Sequence, residues 1–353
     1  MSGRPVSGRP HVLVARQDSM GDVLLAGPAV RAVAAMAGRV TLLCGPRGRA
    51  AGRLLPGVDE VVVAHAGWID AEPRRVTRGA VEELVDRLVD LQADQALVLT
   101  SFHQSPLPLA LLLRMAGVPT IAAVSVDYPG SLLDVRHRVD EDIHEVERGL
   151  SLAATLGYRL PEGDDGGLRV RLDGPGDAPE LGGPYVVVHP GVSVPARAWA
   201  PERHAALVDG LVGTGRRVVV TGDTSERPLT SMVAGGRRPG VVDLGGRVDL
   251  VGLAEVLGGA EAVVVGNTGP AHLAAAVGTP VVSLFSPVVP AVRWRPWGVR
   301  HELLGDQGAA CAGSRVRVCP VAGHPCLDGL AVAEVLAAVE RLAPLRQVEG
   351  VAG

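Results

Sequence analysis

The chain has 353 residues, 47% of them hydrophobic and 20% charged, with a mean hydropathy of +0.25, a formal net charge of −4 and a pI near 6.2. This is enough apolar material for two packed cores and excludes a disordered chain; the charge balance offers nothing that would bind nucleic acid. All 34 basic residues are Arg, so a phosphate can be met only by Arg, by His or by a backbone N–H.

Four cysteines (Cys44, Cys311, Cys319 and Cys326) are too few for a disulfide framework and fit a reducing cytoplasm. The opening MSGRPVSGRP has no apolar stretch of the kind a signal peptide needs. The longest apolar run, 107–124, is broken by Arg114, Gly117 and Pro119, so no transmembrane segment is expected. The expected location is the cytoplasm, with peripheral contact at the inner membrane face permitted.

Short apolar strands alternate with helical periodicity from the start. Strands are expected at 11–15, 40–44, 60–64, 95–100 and 120–124, and helices at 23–36, 81–91, 107–115 and 142–156. Residues 173–184, DGPGDAPELGGP, lose all periodicity and read as a linker. The pattern then restarts, with strands at 185–189, 217–221, 241–243, 262–265 and 281–285. Helices are expected at 202–212, 227–233, 250–257, 271–277 and 331–345. Unbroken apolar strands between helices imply buried parallel sheets, and hence two Rossmann-like domains. Ligands of such sheets bind at the carboxyl ends of the strands, which directs attention to four turns.

The first turn, RQDSMGD, places Ser19, Met20, Gly21 and Asp22 at a helix start. Ser19 can cap, Gly21 permits a tight turn, and Asp22 either favours the helix dipole or takes a proton from an incoming hydroxyl. The absence of GxGxxG argues against a dinucleotide site here. The second turn, HPGVSVPARAW, carries Ser193 and Arg197, and Arg197 is either a solvated charge or a fork onto phosphate. The third, TGDTSE, is an N-cap cluster in which Glu226 could accept hydrogen bonds from ribose or base. The fourth, GNTGPAH, ends a strand with Asn267, Thr268 and Gly269 and puts His272 one turn into a helix. Backbone N–H groups of 268, 269 and 271, together with the imidazole, would cradle a diphosphate.

Several motifs in order resemble glycosyltransferase family 9, the ADP-heptose:lipopolysaccharide heptosyltransferases. They are VLVARQDSMGDVLLAGPAVRAV, HEVERGLSLAATLG, HPGVSVPARAWAPERHAAL, VVVGNTGPAHLAAAVGTPVVSLF and CPVAGHPCLDGL. The resemblance implies a GT-B fold, two Rossmann-like domains with parallel sheets facing across a cleft. Its parts would be an acceptor domain over 1–178, a nucleotide-sugar domain over 179–330, and a terminal segment, 331–353, packing back on the first. It implies Asp22 as general base of an inverting transfer. Arg197, where the family commonly has Lys, would meet the donor phosphates, with Ser193, Glu226, Asn267, Thr268, Gly269 and His272 completing the donor site. Asn267 stands where the family usually has an acid. The donor would be a nucleotide diphosphate sugar, ADP-heptose by the resemblance. The acceptor would be a saccharide, a lipid-linked group or a small molecule.

No cofactor or metal is expected for this chemistry. Cys311, Cys319 and Cys326, spaced C-x7-C-x6-C with His324 between the last two, are loosely compatible with a Cys3His zinc site. A sugar-nucleotide epimerase of the same fold, or a relative that only binds the nucleotide sugar, is the alternative reading.

Overall fold

The computed structural model describes residues 8–139 and 142–345. The chain divides into two compact units, Met1–Arg171 and Leu172–Gly353.

The first unit holds β1 (His11–Arg16), β2 (Arg39–Cys44), β3 (Glu60–Val63), β4 (Gln95–Val98), β5 (Thr120–Val124) and β6 (Val135–His137). They form one sheet in the order β3-β2-β1-β4-β5-β6, every pairing parallel. Leu13, Leu43, Ala96 and Ile121 pack from this sheet against Leu88 and Leu113 of the flanking helices. The second unit holds β7 (Val186–His189), β8 (Val218–Val220), β9 (Val241–Asp243), β10 (Ala262–Gly266), β11 (Val281–Leu284) and β12 (His301–Leu304). Their order, β12-β11-β10-β7-β8-β9, is again all parallel. Counted within the unit it is the same 3-2-1-4-5-6 winding, and both units are Rossmann-like.

β6 and β12 were not expected. Both are edge strands with only partly buried residues, and VRH and HELL lack the apolar run that marks the inner strands. The helix expected over 23–36 is two helices, Met20–Leu25 and Gly27–Ala34. Pro28 has no N–H to offer the Leu24 carbonyl, so the ladder is interrupted there. The short helix Arg49–Leu54 was also missed, being too brief to show a period.

Residues 172–178, placed in the first domain by the sequence reading, belong to the second unit. Gly176 N–H donates to Glu255 Oε1 at 2.7 Å, and the Asp177 carboxylate accepts from Asp249 N–H at 3.0 Å. The terminal helix is Val332–Leu342. It packs on helix Pro201–Gly213 and on β10, β11 and β12 of the second unit, burying Val335, Ala338, Val339 and Leu342. The part of 331–353 beyond Leu345 lies outside the described residues. Among the described residues no helix is long and apolar enough to cross a membrane.

Candidate functional site

In each sheet the strand order reverses between the first and fourth strands of the unit, and the crevice beyond their carboxyl ends is where such folds take ligands. In the first unit this is the end of β1 beside β4. Arg16 closes β1, and its side chain is only 4% exposed. It meets three carboxylates: Asp18 (Nε–Oδ1 3.1 Å), Asp22 (Nη2–Oδ1 3.0 Å) and Glu145 (Nη1–Oε2 3.0 Å). Its Nη2 also donates to Ser101 Oγ at 2.9 Å, after β4. Burial opposes a charge on Arg16, but the three acids raise its pKa and keep it cationic. Burial, reinforced by the Asp22 charge and opposed by Arg16, pushes Asp18 up to about 6.

Ser19 is the N-cap of helix Met20–Leu25, with extended backbone. Asp22 Oδ2 accepts from Ser19 Oγ at 2.7 Å and from its N–H at 3.4 Å. Asp22 thus does what a cap partner does, and it also reaches solvent. Its side chain is 17% exposed, against 8% for Asp18 and 1% for Glu145, so it is the acid of the three that a hydroxyl can approach. Met20 and Gly21 are in the first turn of the helix itself, and Gly21 has no left-handed φ. The tight-turn role expected of that glycine is therefore not what the backbone shows; Gly21 is a buried helical residue. Arg16, Ser101 and Glu145 were missed by the sequence reading. The available signal was an Arg ending an otherwise apolar strand, followed by two acids.

In the second unit the equivalent crevice lies beyond β7 and β10. The 3-10 turn Pro195–Arg197 follows β7, and Arg197 Nη1 donates to the Asn267 carbonyl at 3.2 Å. Ser193 is exposed in the same loop. Asn267 is buried, and its side chain holds the backbone of Ser286, beyond β11: Nδ2 donates to Ser286 O at 3.2 Å and Oδ1 accepts from Ser286 N–H at 3.4 Å. An acid could make only the second of these bonds.

Thr268 is the N-cap of helix Gly269–Ala276, where His272 is buried. The expected cradle of three N–H groups is smaller than the sequence suggested. Thr268 N–H is donated to Gly266 O at 2.8 Å and Ala271 N–H to Thr268 O at 3.1 Å. Among the described residues the Gly269 N–H has no hydrogen-bond partner and is the one left to an anion, beside the helix dipole.

Glu226 ends the 3-10 turn Thr224–Glu226 beyond β8. Its Oε2 accepts from Asp223 N–H at 2.9 Å and lies 3.9 Å from His189 Nε2. Burial pushes the His189 imidazole down to about 4 despite Asp223, so at neutral pH this contact is not an ion pair. Burial raises the Glu226 carboxyl, with the Asp223 charge adding to it against a backbone hydrogen bond. His189 is a further site residue that the sequence does not single out.

Cys311 and Cys326 sit in the apolar core, Cys319 Sγ faces the Val321 carbonyl, and His324 Nε2 is bonded to Ala196 O at 3.1 Å. Among the described residues no three His, Cys, Asp or Glu side chains are grouped so as to hold a metal ion.

The model of glycosyltransferase family 9 (heptosyltransferase) matches residues 81–324. The chain belongs to this family. Among curated relatives, lipopolysaccharide heptosyltransferase 1 of Pseudomonas aeruginosa is 32% identical over 245 residues, 67% of this chain and 66% of that protein. Lipopolysaccharide heptosyltransferase 3 of Escherichia coli is 28% identical over 167 residues, 46% of this chain and 48% of that protein. The chain thus spans from about half to about two thirds of the length of these relatives. Among solved structures, the E. coli heptosyltransferase WaaC with ADP superposes with a TM-score of 0.68 at 21% identity, covering 94% of this chain and all of that one. At that identity the likeness shows the fold, which is the GT-B fold expected of family 9.

Proposed function

We propose that this family 9 chain is an inverting glycosyltransferase that moves a heptose, or a related sugar, from ADP-heptose to an acceptor hydroxyl. The observation that carries the reading is the family match over 81–324, which includes the Arg197, Glu226 and Gly269–His272 turns. The E. coli neighbour's ADP is the motive for naming the nucleotide.

In this reading the second unit holds the donor. Arg197, the Gly269 N–H, the helix dipole and His272 meet the diphosphate, and Glu226 accepts from the ribose or base. Asn267 contributes by fixing the turn. The first unit holds the acceptor. Asp22 takes the proton of the acceptor hydroxyl as its oxygen bonds to the anomeric carbon. The bond from that carbon to the diphosphate breaks on the opposite face, and ADP leaves with the electron pair. Positive groups around the diphosphate stabilise the charge that builds there, so the step needs neither metal nor organic cofactor. Arg16 orients Asp22, and shares its charge with Asp18 and Glu145. The acceptor is a saccharide, of a lipopolysaccharide core or of a small metabolite, met in the cytoplasm or at the inner membrane face.

Incubation with ADP-heptose and a panel of such acceptors tests this. Wild-type protein should form product with the anomeric configuration inverted. Asp22→Asn should lose transfer by about 10²-fold or more and still bind ADP. Undiminished transfer by Asp22→Asn would remove Asp22 from its role.

A further inference from the structure

Three hydrogen bonds converge on the backbone of Ala196, the residue before Arg197. Its N–H donates to Arg317 O at 2.9 Å. Its carbonyl accepts from Ser286 Oγ at 2.8 Å and from His324 Nε2 at 3.1 Å. A carbonyl can only accept, so His324 carries a proton on Nε2. Ser286 is in turn the residue that Asn267 holds, and the Asn267 carbonyl is what Arg197 grips. The Pro195–Arg197 turn is a single 3-10 turn, closed by Arg197 N–H to Val194 O and Ala198 N–H to Pro195 O. So short an element does not hold its own shape without outside support. His324 provides such support from 128 positions away. It does so from a left-handed backbone, φ 43°, which is costly for a residue with a Cβ and persists where its surroundings demand it.

We propose that His324 is a positioning residue for Arg197. It braces the Ala196 carbonyl from behind, so that the guanidinium stays at the head of helix Gly269–Ala276, where a nucleoside diphosphate would lie. The inference rests on the reading of Arg197 as a diphosphate contact. His324 itself touches no substrate. The segment that carries it, which contains all three late cysteines, is in this view part of the donor site's scaffold.

The test is ADP binding by calorimetry with the full chain. His324→Gly accepts the left-handed backbone without strain and removes only the ring. It should weaken ADP about three- to tenfold, the effect of one hydrogen bond. His324→Gln, whose side-chain amide can donate at similar reach, should stay within about twofold of wild type. Ser286→Ala removes the other donor to the same carbonyl and should weaken ADP as well, which keeps the test open if the glycine variant does not fold. In an Arg197→Ala background His324→Gly should have no further effect, because it acts through Arg197. Wild-type ADP affinity in His324→Gly, or a loss that persists in full in the Arg197→Ala background, overturns the brace alone. Wild-type affinity in Arg197→Ala itself overturns the reading on which it rests.

Discussion

The Glu226 carboxylate occupies the space above Gly191: a Cβ built on that glycine would stand 2.0 Å from Glu226 Oε1. Gly191→Ala therefore cannot be accommodated with Glu226 in place. The obstructing group is the free end of a flexible side chain, so the protein should remain folded while the carboxylate swings away. ADP binding should weaken about tenfold, the value of a hydrogen bond to a charged acceptor. Glu226→Ala should show the same loss, and combining the two should add little more. Calorimetric titration with ADP measures this, and a Gly191→Ala variant with normal affinity would detach Glu226 from the nucleotide.

Asn267 ties β10 to the chain beyond β11 with both ends of its amide. Asn267→Asp is nearly isosteric but turns a donor into a second acceptor facing the Ser286 carbonyl. The cost should be about 1–3 kcal/mol of stability, seen as a lower urea midpoint at unchanged slope. An equal or higher midpoint would mean that the clamp is dispensable and that an acid fits this position.

Arg16→Met should be among the most damaging changes in the first unit. It would leave Asp18, Asp22 and Glu145 crowded together without their shared cation, a loss of about 3–5 kcal/mol by the usual measure of a broken buried ion pair. Protonating the carboxylates relieves the repulsion, so the deficit relative to wild type should shrink between pH 7 and pH 4. Thermal melts of both proteins across that range decide it.

His189 and His204 are buried and neutral, with pKa values pushed down by burial to about 4 and about 3; for His204 the neighbouring His189 adds to the effect. In the unfolded chain each titrates near 6.5, so below that pH the unfolded state binds protons that the folded state does not. Their contribution to stability is complete above about pH 7.5 and is lost as pH falls from 6.5 towards 4, at about 2 kcal/mol for each at pH 5. Asp18 works in the opposite sense. Its folded pKa is raised to about 6, so it takes up a proton before the unfolded chain does and returns part of the loss. The net expectation is a falling melting temperature from pH 7 to pH 5, with a shallower fall in His204→Gln. Equal slopes in the two proteins would contradict a buried neutral His204.

What could be read in advance followed from periodicity and turn chemistry. The eight inner strands of both sheets are near-continuous Val, Leu and Ala, and the edge strands β3 (EVVV) and β9 (VVD) still carry adjacent valines, so ten of the twelve strands among the described residues were placed to within about three residues. The edge strands β6 and β12 carry Arg, His and Glu and passed as loops. The turns holding Asp22, Arg197, Glu226 and His272 stood out because they gather polar residues at strand ends. Their partners did not stand out. Glu145 reaches Arg16 from 129 positions away, Ser286 meets Asn267 across 19, and His324 meets Ala196 across 128. Contacts of that span depend on tertiary packing and leave no local pattern. Which N–H groups a helix start keeps free is likewise decided by backbone angles such as those of Thr268, whose own N–H turns back to Gly266.

The docking of Gly176 and Asp177 on helix Leu250–Gly258 bears on how the gene can be cut. The second unit expressed by itself from residue 179, where the glycine- and proline-rich text invites the cut, would lose the carboxylate that holds Asp249 N–H and the N–H that holds Glu255. It would also bare Gly252, whose lack of a side chain is what lets Gly176 and Asp177 lie so close. Starting at Leu172 retains both, so the seven residues in between behave as the first turn of the second unit's wall and travel with it.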